Sequence, residues 1–439
     1  SVPLFLLIGP DALEYRISDA KIKTIITDES GAKKIRSMGK DLQKELIIFT
    51  IEGNIKKLKS ITINFSEINV SSEFIIEKTN SEDPALLLYT SGTTGPPKGV
   101  LHAHRVLLGH LPAFDFYLDL FSTYKNKIYN LLWTPADWAW IGGLLNILFS
   151  SLHHGVPVLA YRFEKFDALK AIQLMSEFKV TGSFLPPTAL KMLRTAIPKT
   201  TSKKLFLKSV ASGGEPLGAE LLDWGKKVLG VNINEFYGQT ECNLVLSSCS
   251  KIMKPRPGIV GPPVPGNIVS VIDQNGTKCK KGQLGTIAIK KGSPQMFLRY
   301  WNNTNATNEK YINDWMITGD KGVIEKDNWI RFVARDDDVI TSGGYRIGPG
   351  PIEDCLMQHP SVSMAAVIGK KDSLRTQIVK AFIVLNKGFI DSKVLRLELQ
   401  SFVRKNLSAH EYPREVEIVK KLPTTSTGKI LRRNLRGPN

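Results

Sequence analysis

The chain has 439 residues, 42% of them apolar and 23% charged, enough for a large core and more than one domain. No apolar stretch is long enough to span a bilayer and no cleavable signal peptide is visible, so membrane insertion is not expected. A formal net charge of +18 raises nucleic acid as a partner, but the basic residues are dispersed in pairs such as Lys33-Lys34 and Arg432-Arg433. That dispersion argues for no nucleic acid and suits small polyanions instead. Cys242, Cys249, Cys279 and Cys355 stand far apart with no Cys-x-x-Cys pair, which argues against a disulfide framework or a zinc knuckle and points to a reducing, cytoplasmic setting.

The opening "SVPLFLLIGPDALEYRI" has no initiator Met and reads as a strand, a turn and a helix, so a leading segment is expected to be missing. Residues 86–104, "LLLYTSGTTGPPKGVLHAH", begin as an apolar strand, break into a loop and then turn amphipathic. Between Ser91 and Gly99 stand three hydroxyls (Ser91, Thr93, Thr94), three glycines (Gly92, Gly95, Gly99) and Lys98. Backbone N–H groups of a glycine-rich turn can converge on an anion, hydroxyls add neutral donors, and a lysine adds charge that can follow a moving phosphate. The loop is not a Walker A sequence, because Gly99 and Val100 follow the lysine where Ser or Thr should stand.

From about Leu131 to Tyr237 the pattern alternates. "VPVLAY" is strand-like; Phe166, Leu169, Ile172, Met175 and Phe178 then recur at helical spacing. "VTGSFLPP", "LKSVASGGEP" and "VNINEFYGQTE" are further strands, the last two separated by the helix-like "LGAELLDWGKKVLG". Such alternation predicts a mostly parallel sheet with helices on its faces and ligands at the carboxyl ends of its strands. After Gly258 the texture becomes hairpin-like, with Asn275-Gly276 as a turn, which predicts a small antiparallel barrel-like part. "RDDDVITSGGYRIG" reads as a linker, and the apolar runs and helix beyond it as a compact α+β domain. The expected division is a large α/β domain over 1–335 and a smaller domain over 336–439.

Five motifs in order, "YTSGTTGPPKG", "NEFYGQTE", "MITGDKG", "RDDDVITSGGYRIG" and "PTTSTGKILRR", together resemble the adenylate-forming superfamily of acyl-CoA synthetases, adenylation domains and luciferases. Within it, "SVPLFLLIGPDALEYRI", "LPPTALKML" and "EFYGQTE" look most like the medium-chain acyl-CoA synthetases, with acetyl-CoA synthetases as near relatives. The resemblance covers essentially the whole chain. It implies an AMP-forming acyl-CoA ligase that uses ATP, Mg2+, coenzyme A and a small-molecule carboxylic acid, with a C-terminal domain that is mobile. It implies a cytoplasmic enzyme, or one of the mitochondrial matrix in a eukaryote, and admits a homo-oligomer.

Residue by residue, the resemblance implies that Thr90, Ser91, Gly92, Thr93, Thr94, Gly95 and Lys98 wrap the β- and γ-phosphates of ATP. Gly213, Gly214, Glu215 and Pro216, with Glu235, Phe236, Tyr237, Gly238, Gln239 and Thr240, would form the adenine slot, Tyr237 stacking on the base. Thr240 and Glu241 stand beside the phosphates, Glu241 as the magnesium ligand. Asp320, assisted by Arg335, would accept hydrogen bonds from the ribose hydroxyls. Lys429 would reach the carboxylate and α-phosphate and balance charge in the transition state. Asp337 is the implied hinge, about which Gly343, Gly344, Tyr345 and Arg346 would enter as the pantetheine path, with Arg375 toward a CoA phosphate. Two departures touch that side: Gly343 stands where relatives commonly carry Ser, and Thr376 where Gly is usual.

Acetyl-CoA synthetases place Trp where this chain has Gly238. An absent indole would open room for several methylenes, each worth about 0.8 kcal/mol on burial. A short-to-medium or branched acyl chain, or a small aryl acid, is therefore expected over acetate, with Trp138 and Trp140 edging the pocket. The competing readings are an adenylation domain that loads a carrier protein's pantetheine arm and an acetate- or propionate-specific synthetase.

Overall fold

The computed structural model describes residues 1–5, 8–51, 61–68, 75–90, 97–123, 130–197, 204–342, 345–372, 375–407, 411–424 and 430–436. A three-stranded parallel sheet comes first: β1 (Thr24–Thr27), β2 (Ile47–Thr50) and β3 (Ile61–Asn64). The helices Pro10–Asp19 and Glu29–Arg36 cover it with Leu13, Ile17 and Ile35 around Ile48. Next, β4 (Pro84–Thr90) and β5 (Lys98–Ala103) pair antiparallel with Thr90 opposite Lys98. The amphipathic stretch after the glycine-rich loop is thus a strand, and the helix Arg105–Tyr117 begins only after it.

The central sheet has the order β10-β9-β8-β7-β6. Its strands are β6 (Leu132–Trp133), β7 (Gly182–Phe184), β8 (Ser209–Gly213), β9 (Ile233–Gln239) and β10 (Asn243–Ser247). All neighbours run parallel except β9 and β10. Successive side chains on a strand point to opposite faces. Val210 accordingly joins the core of the helices Ala168–Glu177 and Pro187–Ala196, while Ala211 joins that of the helix Arg105–Tyr117. Asp167 starts the first of these helices by accepting from the N–H groups of Leu169 and Lys170.

"VPVLAY" differs from its expected strand. It makes a single bridge, Val158 to Leu132, because Pro157 has no N–H to extend a ladder. The chain's first residues also form no assigned strand, although Ser1 exchanges backbone hydrogen bonds with Ala85 and Leu87 of β4.

A second, antiparallel sheet contains β11 (Val269–Ile272), β12 (Leu284–Lys290), β14 (Tyr311–Ile312), β15 (Trp315–Ile324) and β16 (Ile330–Arg335); β13 (Arg299–Tyr300) instead pairs with β5. The Asn275-Gly276 turn forms as expected: Gly276 has φ +82°, and Asp273 accepts from the N–H groups of Asn275 and Thr277. The last sheet, order β18-β17-β20-β19 with β21 on β20, contains β17 (Ile340–Ser342), β18 (Tyr345–Ile347), β19 (Val362–Asp372), β20 (Thr376–Leu385) and β21 (Glu415–Ile418). Among the described residues of the expected linker, Ile340–Ser342 and Tyr345–Ile347 are therefore strands, β17 antiparallel to β18, and Asp336–Asp338 is a short turn before them. The helix Lys393–Asn406, capped by Ser392, lays Leu395, Leu399 and Val403 on this sheet at helical spacing.

One buried carboxylate ties the central sheet together. Asp119, 5% exposed, accepts from Ser209 Oγ (3.1 Å), Asn234 Nδ2 (2.9 Å), Ser250 Oγ (3.0 Å) and the Lys251 N–H (3.1 Å). It joins the end of the helix Arg105–Tyr117 to β8, β9 and the turn beyond β10. Asp119→Ala leaves these buried donors unmatched and should cost about 3 kcal/mol of stability, read as a lower denaturation midpoint with an unchanged slope.

Candidate active site

The carboxyl ends of β6 to β9 open into one cleft of about 2020 Å³. Residues following each strand line it: Thr134 and Trp138 after β6, Pro186 after β7, Gly214 and Pro216 after β8, Thr240 and Glu241 after β9. The antiparallel sheet supplies Thr318, Asp320 and Arg335, and the C-terminal part supplies Thr424, Ile430 and Arg432.

Asp320 and Arg335 are cross-strand partners on β15 and β16, which explains how residues 15 positions apart meet. Asp320 is buried, and its Oδ2 accepts from Tyr237 OH (2.6 Å) and Gln239 Nε2 (2.8 Å). Its carboxylate thus fixes the end of β9, and burial with Asp320 alongside pushes the Tyr237 phenol well above its ordinary value. Arg335 Nε lies 3.5 Å from Asp337 Oδ1, and Asp337 also lines the cleft.

Glu241 is equally constrained. Tyr300 OH donates to its Oε1 at 2.6 Å, and the Phe297 N–H donates to its carbonyl at 2.8 Å. His102 Nε2 lies 2.8 Å from the Thr240 carbonyl, so Nε2 carries the proton; burial lowers this imidazole to about 4 and keeps it neutral. Lys98 places Nζ 5.2 Å above the Tyr300 ring. Among the described residues no group of three or more His, Cys, Asp and Glu could hold a metal alone. One hard carboxylate beside a hydroxyl fits a cation that arrives on phosphates and keeps its waters.

Glu235 stands on the wall between β8 and β9. Its Oε1 accepts from the Leu217 N–H at 3.2 Å, and Oε2 has no hydrogen-bond partner among the described residues. Burial pushes the carboxyl up to about 8, the Leu217 N–H opposing and Asp354 adding to it. Asp354 comes from the helix Pro349–Met357 and packs on Gly218; burial raises it to about 6. Arg432 clasps Glu353 through both oxygens at 2.7 and 2.9 Å and lies 3.6 Å from Asp338.

Of the residues implied by the resemblance, the cleft brings together Thr90, Lys98, Gly213, Gly214, Glu215, Pro216, Glu235 to Glu241, Asp320 and Arg335. Ser91, Gly92, Thr93, Thr94, Gly95, Gly343, Gly344 and Lys429 lie outside the described residues, as does the side chain of Arg346. The residues flanking them are informative: Thr90 and Lys98 line the cleft, and so do Thr424 and Ile430, which bridge each other around the Lys429 segment. Tyr345 is 54% exposed and Arg375 is exposed; neither lines the cleft. Tyr300, His102, Lys310 and Arg432 were not expected: Tyr300 and Lys310 lie in stretches without local signature, and His102 and Arg432 stand beside or within motifs that give them no role. Lys310 Nζ reaches the Thr318 carbonyl at 3.2 Å inside the cleft.

Two glycine-related expectations change. A Cβ at Gly238 would lie 1.7 Å from the Asn243 carbonyl oxygen and 2.7 Å from its carbon. This glycine therefore answers to the approach of β10, and its missing side chain does not vacate acyl space. Thr376, which stands where glycine is usual in the family, holds φ +69°, a left-handed backbone that a β-branched residue adopts at a cost.

Two outcomes follow from these strained and buried groups. Thr376→Gly should relieve the left-handed strain and stabilise the chain by about 1 kcal/mol, read from its melting temperature. For Glu235, the unfolded carboxyl ionises near its ordinary 4.5 while the folded one holds its proton to about 8. The stability this group contributes therefore falls as pH rises through that window and is flat above it. Glu235→Gln removes the proton exchange, so its melting temperature should gain on the parent chain's from about pH 5 to about pH 8 and then run parallel.

The model for AMP-binding enzyme matches residues 1–301, and the model for AMP-binding enzyme C-terminal domain matches residues 351–429. Acyl-coenzyme A synthetase ACSM3, mitochondrial, of Rattus norvegicus is 35% identical over 435 residues, covering 96% of this chain and 72% of the relative. Acetyl-coenzyme A synthetase of Bacillus subtilis (strain 168) is 33% identical over 441 residues, covering 99% and 75%. Among solved structures, the anthranilate CoA ligase AuaEII in complex with anthranoyl-AMP superposes with a TM-score of 0.86 at 28% identity, over 98% of this chain and 81% of that one.

Proposed function

The chain belongs to the AMP-binding enzyme family and is an AMP-forming acyl-CoA synthetase, and we propose that the cleft described above carries both of its half-reactions. The observation that supports this placement is convergence: Asp320, Arg335, Tyr237 and Glu241 share one cleft with Thr90 and Lys98, the two ends of the hydroxyl-and-glycine loop.

In this reading the carboxylate of the acid attacks the α-phosphorus of ATP, the bond to the β-phosphate oxygen breaks, and pyrophosphate leaves. The loop from Thr90 to Lys98 grips the leaving phosphates, and Glu241 meets the magnesium ion that neutralises them. Asp320 takes the ribose hydroxyls, and Tyr237 faces the base against the Gly213–Gly214 turn. Lys429 draws the attacking carboxylate and the α-phosphate together. The CoA sulfur then attacks the acyl carbon of the mixed anhydride, and AMP departs with the bonding pair. The division of labour falls at Arg335–Asp336, with Asp337 as hinge and 343–346 as the pantetheine side.

The acid end of the cleft is walled by Trp138, Trp140, Ile141, Phe184, Phe236 and Leu244. This apolar wall supports a short-to-medium-chain, branched or small aromatic monocarboxylic acid. The four cysteines are buried free thiols, which supports a reducing compartment. Among the described residues no helix is long and apolar enough to cross a membrane.

The test is ATP–pyrophosphate exchange across a panel of C2 to C10 and aromatic acids, followed by acyl-CoA release with free CoA. Exchange should require an acid, favour an acid larger than acetate, and need no carrier protein. Lys429→Ala should lower exchange by at least about a hundredfold while sparing thioester formation from supplied acyl-adenylate. Equal loss in both steps would refute the role given to Lys429.

A further inference from the structure

Tyr300 has no part in the motifs, yet it touches two groups of the phosphate side at once. Its hydroxyl donates to Glu241 Oε1 at 2.6 Å, and its ring lies 5.2 Å beneath Lys98 Nζ. Three contacts hold the tyrosine itself. Its residue pairs with Val100 on β5, its N–H donates to Thr307 Oγ1 at 3.0 Å, and its ring packs edge-on against Phe297 with centroids 5.1 Å apart. The backbone of Thr240 and Glu241 is meanwhile anchored by His102 and by the Phe297 N–H.

The backbone anchors do not orient the Glu241 side chain; among the described residues only Tyr300 hydrogen-bonds its carboxylate. A phenol suits that task. Its hydroxyl is an uncharged hydrogen-bond donor. It therefore fixes one oxygen without cancelling the negative charge. A packing role alone would be met as well by Phe, which has no use for a carboxylate at hydrogen-bond distance.

We propose that Tyr300 is a positioning residue for the phosphate half of the cleft: its hydroxyl orients the Glu241 carboxylate toward incoming magnesium, and its ring parks Lys98 until a phosphate takes the lysine. The inference rests on the roles given above to Glu241 and Lys98. It goes beyond them by tying the two together through one side chain.

The measurements are the Mg2+ dependence of acid-driven ATP–pyrophosphate exchange at saturating ATP and acid and, without turnover, the Kd for Mn2+ titrated onto the chain with a non-hydrolysable ATP analogue, which should shift in parallel. Tyr300→Phe keeps the ring and removes the donor. It should raise the half-saturating Mg2+ concentration about tenfold, while thioester formation from supplied acyl-adenylate stays within about twofold of the parent chain. In a Glu241→Gln background the same substitution should produce no further shift. Tyr300→Leu, which also removes the ring, should in addition raise the KM for ATP relative to Tyr300→Phe. An unmoved Mg2+ curve in Tyr300→Phe, a shift that persists in the Glu241→Gln background, or equal loss in both half-reactions would overturn the proposal. A parent chain with no acid-dependent exchange would overturn the enzyme reading, and this inference with it. A parent chain that exchanges normally beside an unmoved Tyr300→Phe curve would remove only the inference.

Discussion

The cleft exists because a carboxylate on one sheet holds the end of a strand on another. Asp320, on β15 of the antiparallel sheet, accepts from the Tyr237 hydroxyl and the Gln239 amide at the carboxyl end of β9. That anchor works beside the Gln239 bond to the Thr318 carbonyl at 2.8 Å, and together they add direction to an apolar packing that has none of its own. With them, the end of β9 has one position relative to β15 and β16, and Thr240 and Glu241 follow with it. The same carboxylate is the group proposed to face the ribose, so the bond that shapes the site also presents its acceptor.

Burial is used differently at each acidic group. Asp119 is surrounded by donors and serves the fold. Glu241 meets, among the described residues, a single side-chain donor, Tyr300, and lines the cleft. Glu235 has one backbone donor and, among the described residues, an unmatched oxygen, so burial holds it protonated near neutral pH. Three carboxyls of similar depth thus become a structural clamp, a proposed magnesium ligand and a neutral wall. The number of donors each one meets decides which.

Much of the site was legible in the motifs. The glycine-rich loop, the β9 end and the "TGD" of β15 were expected to act together, and their described residues line one cavity. The alternating pattern also announced the parallel sheet and its open carboxyl edge. Other features had no local signal. Tyr300 sits in a two-residue strand whose partner is some 200 positions earlier, and nothing near it in the chain marks a hydroxyl that will meet Glu241. Gly238 misled because a missing side chain reads as space, whereas β10 fills that space with backbone. "VPVLAY" had the apolar pattern of a strand but contains Pro157, which lacks the N–H for a ladder.

By itself the sequence determined which chemical groups are available and in what order: a hydroxyl-rich turn, a carboxylate in each of two later motifs, and a lysine near the end. Those depend on residue identity and on hydrophobic period, both of which are local. Only the tertiary structure decided which carboxyl burial holds protonated, which glycine answers to a neighbouring backbone, and which tyrosine reaches a proposed metal ligand. Those depend on distances between residues remote in the chain, and such distances are set when the sheets pack.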